Sequence, residues 1–219
     1  TISRAQLVPR GDFLAPDGNT YFVPTFCRVQ GVAKPTEASN INFEVWLPKQ
    51  EWSGRYYQLG NGGGSGFIDY NALAGYLNTG NVVANTDDGH VREAELAKKS
   101  PLGKWGWMND PEKLIDGDYR ALKETTNSAK AIIHAYYNKP PDYSYFSGCS
   151  GGGYYALTAA EFFPEDWDGV LVGAGIAPGN YWRHFVGAAW SSKRWLTHPE
   201  GRIPKAKLPA IQKAAIASC

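Results

Sequence analysis

Five residues, Gly148-Cys149-Ser150-Gly151-Gly152, constrain the fold of this chain more than any other stretch. They read Gly-x-Ser-x-Gly. An aromatic run before them, Tyr143 to Ser147, predicts a strand, and the small-residue segment after them, Gly152 to Phe163, predicts a helix. A serine on so sharp a strand-to-helix turn is a nucleophile elbow. The turn strains the serine backbone, and side chains two residues either side would clash, hence the flanking glycines. Its result is a hydroxyl exposed at the carboxyl edge of a sheet, on a helix N-terminus. There the Gly151 amide and the helix dipole favour a developing oxyanion. Ser150 is therefore the expected nucleophile and Gly151 one oxyanion donor. Two other readings compete: a glycine-rich turn that merely packs strand on helix, and a dinucleotide loop, since Gly151-x-Gly153-x-x-Ala156 fits that pattern loosely. The second lacks an acidic residue at the end of a following strand.

The rest of the chain alternates in the same way. Strands are expected at Ile2 to Val8, Val23 to Val32, Ile41 to Leu47, Arg55 to Leu59, Asn81 to Thr86 and Gly169 to Gly173. Helices are expected at Tyr70 to Asn78 and Asp116 to Tyr137. In the longer one Tyr119, Leu122, Thr126, Ala129, Ile133 and Tyr136 recur at three- and four-residue spacing as one buried face, and Pro140-Pro141 stop it. Gly89 to Asp110 reads as mostly loop. Beyond Pro178 the chain reads as helical, Tyr181 to Leu196 and Lys205 to Ser218. Strands alternating with helices make an α/β fold: a mostly parallel sheet covered on both faces, extended by antiparallel strands at its β-rich start. Residues 1–175 are read as the catalytic core and 176–219 as the beginning of a lid.

The glycine cluster Gly60-Asn-Gly-Gly-Gly-Ser-Gly66 follows a predicted strand, the place from which this fold supplies its second oxyanion donor. Without Cβ atoms its amides can face a substrate. Gly62 and Gly63 are the candidate donors; a flexible surface loop is the alternative. No Lys-Ser/Thr follows the glycines, which argues against a phosphate loop.

With 219 residues and 43% hydrophobic content the chain can bury a sizeable core. A net charge of +1 marks no nucleic-acid binder, and no run of eighteen apolar residues marks a membrane span. Eight Trp and 13 Tyr would suit aromatic or sugar-bearing ligands, though most such rings pack in cores. Cys27, Cys149 and Cys219 are an odd number, far apart and without a Cys-x-x-Cys, so zinc is not expected and one thiol must stay free or pair outside the chain.

At this point the residues resemble the tannase and feruloyl esterase family. The matching pieces are Phe26-Cys27-Arg28-Val29, Phe43-Glu-Val-Trp-Leu-Pro48, Gly60-Asn-Gly-Gly63, Asp88-Gly-His90, Asp118-Tyr-Arg120, Tyr145-Phe-Ser-Gly-Cys-Ser150 and Pro164-Glu-Asp-Trp-Asp-Gly169. The resemblance implies a secreted α/β-hydrolase esterase in which Cys149 forms a disulfide with a Cys directly after the catalytic His. It places that His and its Asp in a later part of the chain. It also implies a lid with aromatic contacts and a calcium loop opening at the position of Cys219, with acidic ligands beyond it. Lys123, Gly151 and Tyr154 depart from residues frequent in the family, His, Thr and Arg.

Only 69 residues follow Ser150, and their histidines, His184 and His198, are poor candidates for the base. Asp166 and Asp168 read as structural. His90 is expected to hold a structural hydrogen bond rather than to act at the site; His134 reads as a packing or surface residue. Asp87-Asp88 alone makes no metal site, and Lys98-Lys99 reads as a solvated face. Trp182, Trp190 and Trp195 read equally as an acyl pocket or as lid packing. The expectation is therefore a fragment: a chain whose base and acid come from a missing segment or a disulfide-linked partner. Its reaction would be hydrolysis of an aromatic ester, feruloyl, hydroxycinnamoyl or galloyl, with no cofactor for catalysis. The alternative is a non-catalytic hydrolase-fold module that binds carbohydrate or phenolic ligands.

Overall fold

A computed structural model describes residues 1–90, 103–175, 181–198, 200 and 202–218. The chain divides into two compact units, Thr1–Pro178 and Gly179–Cys219.

The first unit is built on a seven-stranded sheet. Its strands are β1 (Ile2–Val8), β4 (Phe26–Ala33), β5 (Ile41–Pro48), β6 (Arg55–Gly60), β7 (Val82–Thr86), β8 (Tyr143–Cys149) and β9 (Gly169–Gly173), in the order β1-β4-β5-β7-β6-β8-β9. The β1, β4 and β5 wing pairs antiparallel, as does β5 with β7; β7, β6, β8 and β9 run parallel. Between β6 and β7 lies α1 (Tyr70–Leu77), whose first turn is capped by Asp69 accepting from the Ala72 amide at 2.9 Å. Between β7 and β8 come a 3₁₀ segment (Gly103–Asn109), α2 (Pro111–Ile115), a π turn (Asp116–Arg120) and α3 (Ala121–Tyr137). After β8 comes α4 (Gly151–Phe162).

The two sheet faces carry separate cores. Val29, Ile41, Phe43, Val45, Leu47, Tyr56, Val82 and Ala84 point at Ala129 and Ile133 of α3. On the other face Phe26, Trp46, Leu59 and Val83 pack with Tyr70, Leu73 and Leu77 of α1. The alternation along β5 and β7, where neighbours go to opposite cores, is the period-two pattern of a sheet covered twice.

One buried polar cluster braces the antiparallel wing. Arg28 donates to Glu44 through Nε at 2.8 Å and Nη2 at 2.5 Å, and Glu44 also accepts from Gln30, Trp46 and Tyr70. The guanidinium lies over the Phe13 and Tyr70 rings. A charge taken out of water this completely persists only when paired and hydrogen-bonded.

Two expectations need correction. Val23 to Val32 is not one strand. Pro24 has no amide hydrogen to give a ladder, and the chain turns there. Thr20–Val23 becomes β3, paired with β2 (Gly11–Leu14) in a separate hairpin. Its turn is signalled by Asp17-Gly18, with Gly18 at φ +83° and Asp17 accepting from the Asn19 amide at 3.0 Å. Asp116 to Tyr137 is not one α-helix, because the π turn interrupts it where Gly117 closes on Trp107 and gives its carbonyl to the Tyr155 hydroxyl at 2.5 Å. Leu122, Thr126, Ala129 and Ile133 form the buried face, but Tyr119 and Tyr136 at its two ends are 45% and 41% exposed. Gly89 to Asp110, read as mostly loop, ends in the 3₁₀ segment, while residues 91–102, Lys98-Lys99 among them, lie outside the described residues.

The second unit holds α5 (Tyr181–Thr197) and α6 (Leu208–Ser218), the latter entered by a 3₁₀ turn at Lys205–Lys207. Trp190 and Trp195 are exposed on α5. The side chains of Trp182 and His184, and Cys219 itself, lie outside the described residues. No described helix is long and apolar enough to cross a membrane.

Candidate active site

The strand order reverses direction at β6. The chain passes from β6 to β7 over α1, on one face, and returns past β6 to β8 over α3, on the other. In open α/β sheets ligands bind outside the carboxyl ends of the strands at such a switch point. Three segments converge there: the Gly60–Gly66 loop after β6, Asp87–His90 after β7, and Ser150 after β8. Gly60 and Gly148 are paired in register.

Ser150 has φ 60° and ψ −115°. A non-glycine residue held there costs about 1–3 kcal/mol, which the surroundings must supply. Its amide donates to the Gly173 carbonyl of β9 at 2.8 Å, and its carbonyl accepts from the Tyr154 amide at 3.0 Å in the first turn of α4. The side chain is exposed and does not cap the helix. The glycines around it are required by backbone contact. A Cβ on Gly148 would run into the Gly152 carbonyl, one on Gly152 into the Gly60 carbonyl, and one on Gly153 into the Gly173 carbonyl. The helix N-terminus is thus pressed directly onto the ends of three strands.

The glycine loop lies against the elbow. A Cβ built on Gly151 would sit 2.6 Å from the Gly63 oxygen and 3.2 Å from the Gly63 nitrogen; one on Gly62 would sit 3.6 Å from the Cys149 oxygen. Ser150, Gly151, Gly62 and Gly63, each singled out from the sequence, are therefore neighbours in space. What holds the loop went unread. Asn61 Nδ2 donates to the carbonyls of Phe67 (2.7 Å) and Thr86 (2.8 Å), and its Oδ1 accepts from Asn85. Asn85 also donates to the Leu59 carbonyl and accepts from the Asp69 amide. An asparagine closing the apolar run Val82-Val83-Ala84 was the available signal, since a buried amide there must find partners.

His90 is 2% exposed and stacks on Trp107 with ring centroids 3.8 Å apart. Its Nε2 lies 2.7 Å from the Gly64 carbonyl and its Nδ1 3.2 Å from the Asp88 carbonyl. Burial pushes its pKa below the ordinary value, which favours the neutral ring. This is the structural role expected from sequence. Asp87 accepts from Asn42 and from the Gly89 amide. Asp88, at φ 57°, is buried, and its carboxyl faces the buried Ser65 hydroxyl. Burial raises the Asp88 carboxyl to about 7 and that of Asp87 to about 6.

Other residues take structural places. Asp168 accepts from the Ser144 amide at 2.7 Å, and Asp166 is paired with Lys123 and Lys130. Tyr154 donates to Asp118. His134 is exposed on α3, and His198 is exposed beside Glu200 at 2.9 Å in the second unit. Among the described residues no imidazole hydrogen-bonds Ser150. Cys149 is an exposed free thiol whose Sγ lies 3.2 Å from the Cβ position of Gly173. Cys27 is free and partly buried, and burial raises its pKa.

Comparison with known proteins agrees with this geometry. The family model described as tannase and feruloyl esterase matches residues 27–219. An uncharacterized esterase of Xanthomonas campestris is 41% identical over the whole of this chain, which covers 37% of that protein. A probable feruloyl esterase B-2 of Aspergillus flavus is 31% identical over 76% of this chain and 30% of its own length. The crystal structure of feruloyl esterase B from Aspergillus oryzae superposes with a TM-score of 0.70 at 28% identity, covering 80% of this chain and 34% of that one. The chain thus spans about a third of the length of these relatives. Its fold is of the α/β-hydrolase type, and the chain belongs to the tannase and feruloyl esterase family.

Proposed function

We propose that this chain carries the nucleophile of a secreted serine carboxylesterase that hydrolyses aromatic esters. The observation that carries the proposal is the placement of Ser150 at positive φ on a strand-to-helix turn, with the backbone of Gly63 against Gly151. That arrangement supports a hydroxyl free to attack and two amide sources beside it. Feruloyl esterases among the chain's relatives support an aromatic acyl group.

The reaction proceeds in two steps. Ser150 Oγ attacks the ester carbonyl while a histidine takes its proton. The tetrahedral oxyanion is met by the Gly151 amide and by Gly62 or Gly63. Collapse expels the alcohol, which receives the proton from the histidine, and leaves an acyl-enzyme. Water, activated by the same histidine, releases the acid. The histidine and its aspartate come from beyond residue 219, either later in one polypeptide or on a disulfide-linked chain. A bond from Cys149 to a cysteine beside that histidine would tie base to nucleophile. Residues 176–219 begin the lid. Among the described residues no group of three or more His, Cys, Asp or Glu could hold a metal ion. A structural calcium would draw its ligands from beyond residue 219 and plays no part in these steps.

The test is covalent labelling of the full-length polypeptide with a fluorophosphonate, followed by peptide mapping and turnover of methyl ferulate and methyl gallate. Label on Ser150, its loss in Ser150→Ala and turnover of either ester support the proposal. A folded protein that takes no label sinks it, and leaves a module that binds phenolic or carbohydrate ligands without hydrolysing them.

A further inference from the structure

The oxyanion loop needs explaining as a physical object. Gly60–Gly66 contains five glycines, and such a segment loses more backbone entropy on ordering than any other composition. Oxyanion donors work because they are already in place when charge develops. Something must therefore hold this loop at both ends. At its start the amide of Asn61 reaches two carbonyls and is itself held by Asn85. Within the loop only a long turn bond, Ser65 amide to Gly62 carbonyl at 3.4 Å, is internal. Ser65 is buried, and its hydroxyl faces the carboxyl of Asp88 on the same segment as His90. Asn61 also ties the far end through the Phe67 carbonyl, and among the described residues His90 holds the stretch between, through the Gly64 carbonyl.

We propose that His90 is a positioning residue for ester hydrolysis: its Nε2–H, donated to the Gly64 carbonyl, latches the glycine loop so that the Gly62 and Gly63 amides stand ready beside Ser150. The inference rests on the reading of Ser150 as nucleophile. It assigns His90 no contact with substrate and no proton transfer. The ring itself is immobilised. Trp107 stacks on one face at 3.8 Å. Gly117 of the π turn stands close, its Cβ position 3.5 Å from Nδ1, so a larger residue there would press on the imidazole. With Nδ1 facing the Asp88 carbonyl at 3.2 Å and Nε2 facing Gly64 at 2.7 Å, the shorter contact takes the proton. Both anchors of the loop derive from the end of β7: Thr86 receives Asn61, and His90 follows four residues later. The strand that ends beside the nucleophile strand's neighbour thus sets the donor geometry while touching no substrate.

Two substitutions separate this from a general packing role. His90→Phe keeps an aromatic ring on Trp107 but cannot donate. His90→Gln keeps an amide donor and loses the ring. In the full-length polypeptide His90→Phe is expected to lower kcat on methyl ferulate or methyl gallate roughly 10- to 100-fold, less than the roughly 100- to 1000-fold for outright loss of an oxyanion donor, because the donors are loosened rather than removed. KM should stay within about twofold, since uniform binding is untouched. His90→Gln should recover at least a third of the lost rate on a logarithmic scale. Hydrogen exchange of the Gly62–Gly66 amides should accelerate at least tenfold in His90→Phe and less in His90→Gln, while exchange in β5 stays as in the parent. Unchanged kcat and unchanged loop exchange in a folded His90→Phe overturn the proposal. So does a fall in kcat that His90→Gln shares in full. If His90→Phe does not fold, His90→Gln against the parent decides alone: loop exchange more than tenfold faster throughout overturns the donor role, and near-parental exchange supports it. If the parent takes no fluorophosphonate label, the esterase reading has failed separately, and loop exchange still decides whether the latch exists.

Discussion

The carboxyl end of β8 and the antiparallel wing at β4–β5 are both rigid, and they are made rigid by opposite means. At β8 the contacts are backbone on backbone: Gly148, Gly152 and Gly153 are pressed against carbonyls with no room for a methyl group. Side chains are subtracted, and the two that remain, Cys149 and Ser150, are exposed, Ser150 on a strained backbone. In the wing side chains are added: Arg28, Gln30, Trp46 and Tyr70 surround the Glu44 carboxylate, and aromatic rings sandwich the guanidinium. The first construction leaves a reactive group accessible. The second consumes every polar atom it buries. A site that must meet substrate can afford only the first, because satisfied groups have nothing left to offer.

That contrast can be broken at several points. Ser150→Ala has the largest expected effect, a loss of about 10⁵- to 10⁶-fold in kcat with thermal unfolding unchanged, since alanine keeps a Cβ at the same positive φ. Arg28→Met should do the reverse. It strands a buried carboxylate and costs about 3–5 kcal/mol in urea unfolding, with little effect on turnover of the folded fraction. Arg28→Met/Glu44→Leu should regain most of that, because a charge pair replaced by apolar bulk leaves nothing unpaired. Failure of the double variant to recover would mean that Gln30, Trp46 and Tyr70 need the carboxylate. Gly152→Ala should fall between these classes. Relief of the clash with Gly60 costs about 1–3 kcal/mol, and because it pushes the oxyanion loop away, kcat should fall further than stability alone explains.

Smaller effects follow from pH and from the α1 cap. Asp88 and Asp87 titrate near 7 and 6 in the folded protein because they are buried, against about 3.9 when unfolded. Between about pH 4 and 7 the folded state therefore holds protons that the unfolded chain has released, so stability declines as pH rises through that window. Asp88→Asn should flatten the slope, as read from urea midpoints at pH 5 and 8; an unchanged slope would show Asp88 ionised when folded. Asp69→Ala removes the α1 cap and should cost about 1 kcal/mol.

The fold was largely legible because its signals are local. Periodicity marked β5, β6, β8 and β9, and Gly-x-Ser-x-Gly marked the turn between β8 and α4. The loop Gly60–Gly66 was legible as a glycine cluster in the right position. Its clamps were not, since Asn61, Asn85 and His90 meet only after β6 and β7 have paired, and sequence spacing does not encode contacts across strands. The β2–β3 hairpin was missed although Asp17-Gly18 announced its turn, because Pro24 was read through rather than as a break. The π turn was invisible for a different reason: what drives it is a tyrosine on another helix.

That π turn has a consequence for how such chains can vary. A helix that fits one extra residue into a turn emerges about 100° out of phase with its own beginning. Within the turn itself, Gly117 and Asp118 face Tyr155 and Tyr154 of the nucleophile helix. After it, Leu122, Thr126, Ala129 and Ile133 face the sheet. One segment thereby serves two clients at different bearings, like a crank between two shafts. Deletion of a single residue between Asp116 and Ala121 would realign the two stripes and abandon one client. Residue count in this short stretch, more than residue identity, is what inheritance has to preserve.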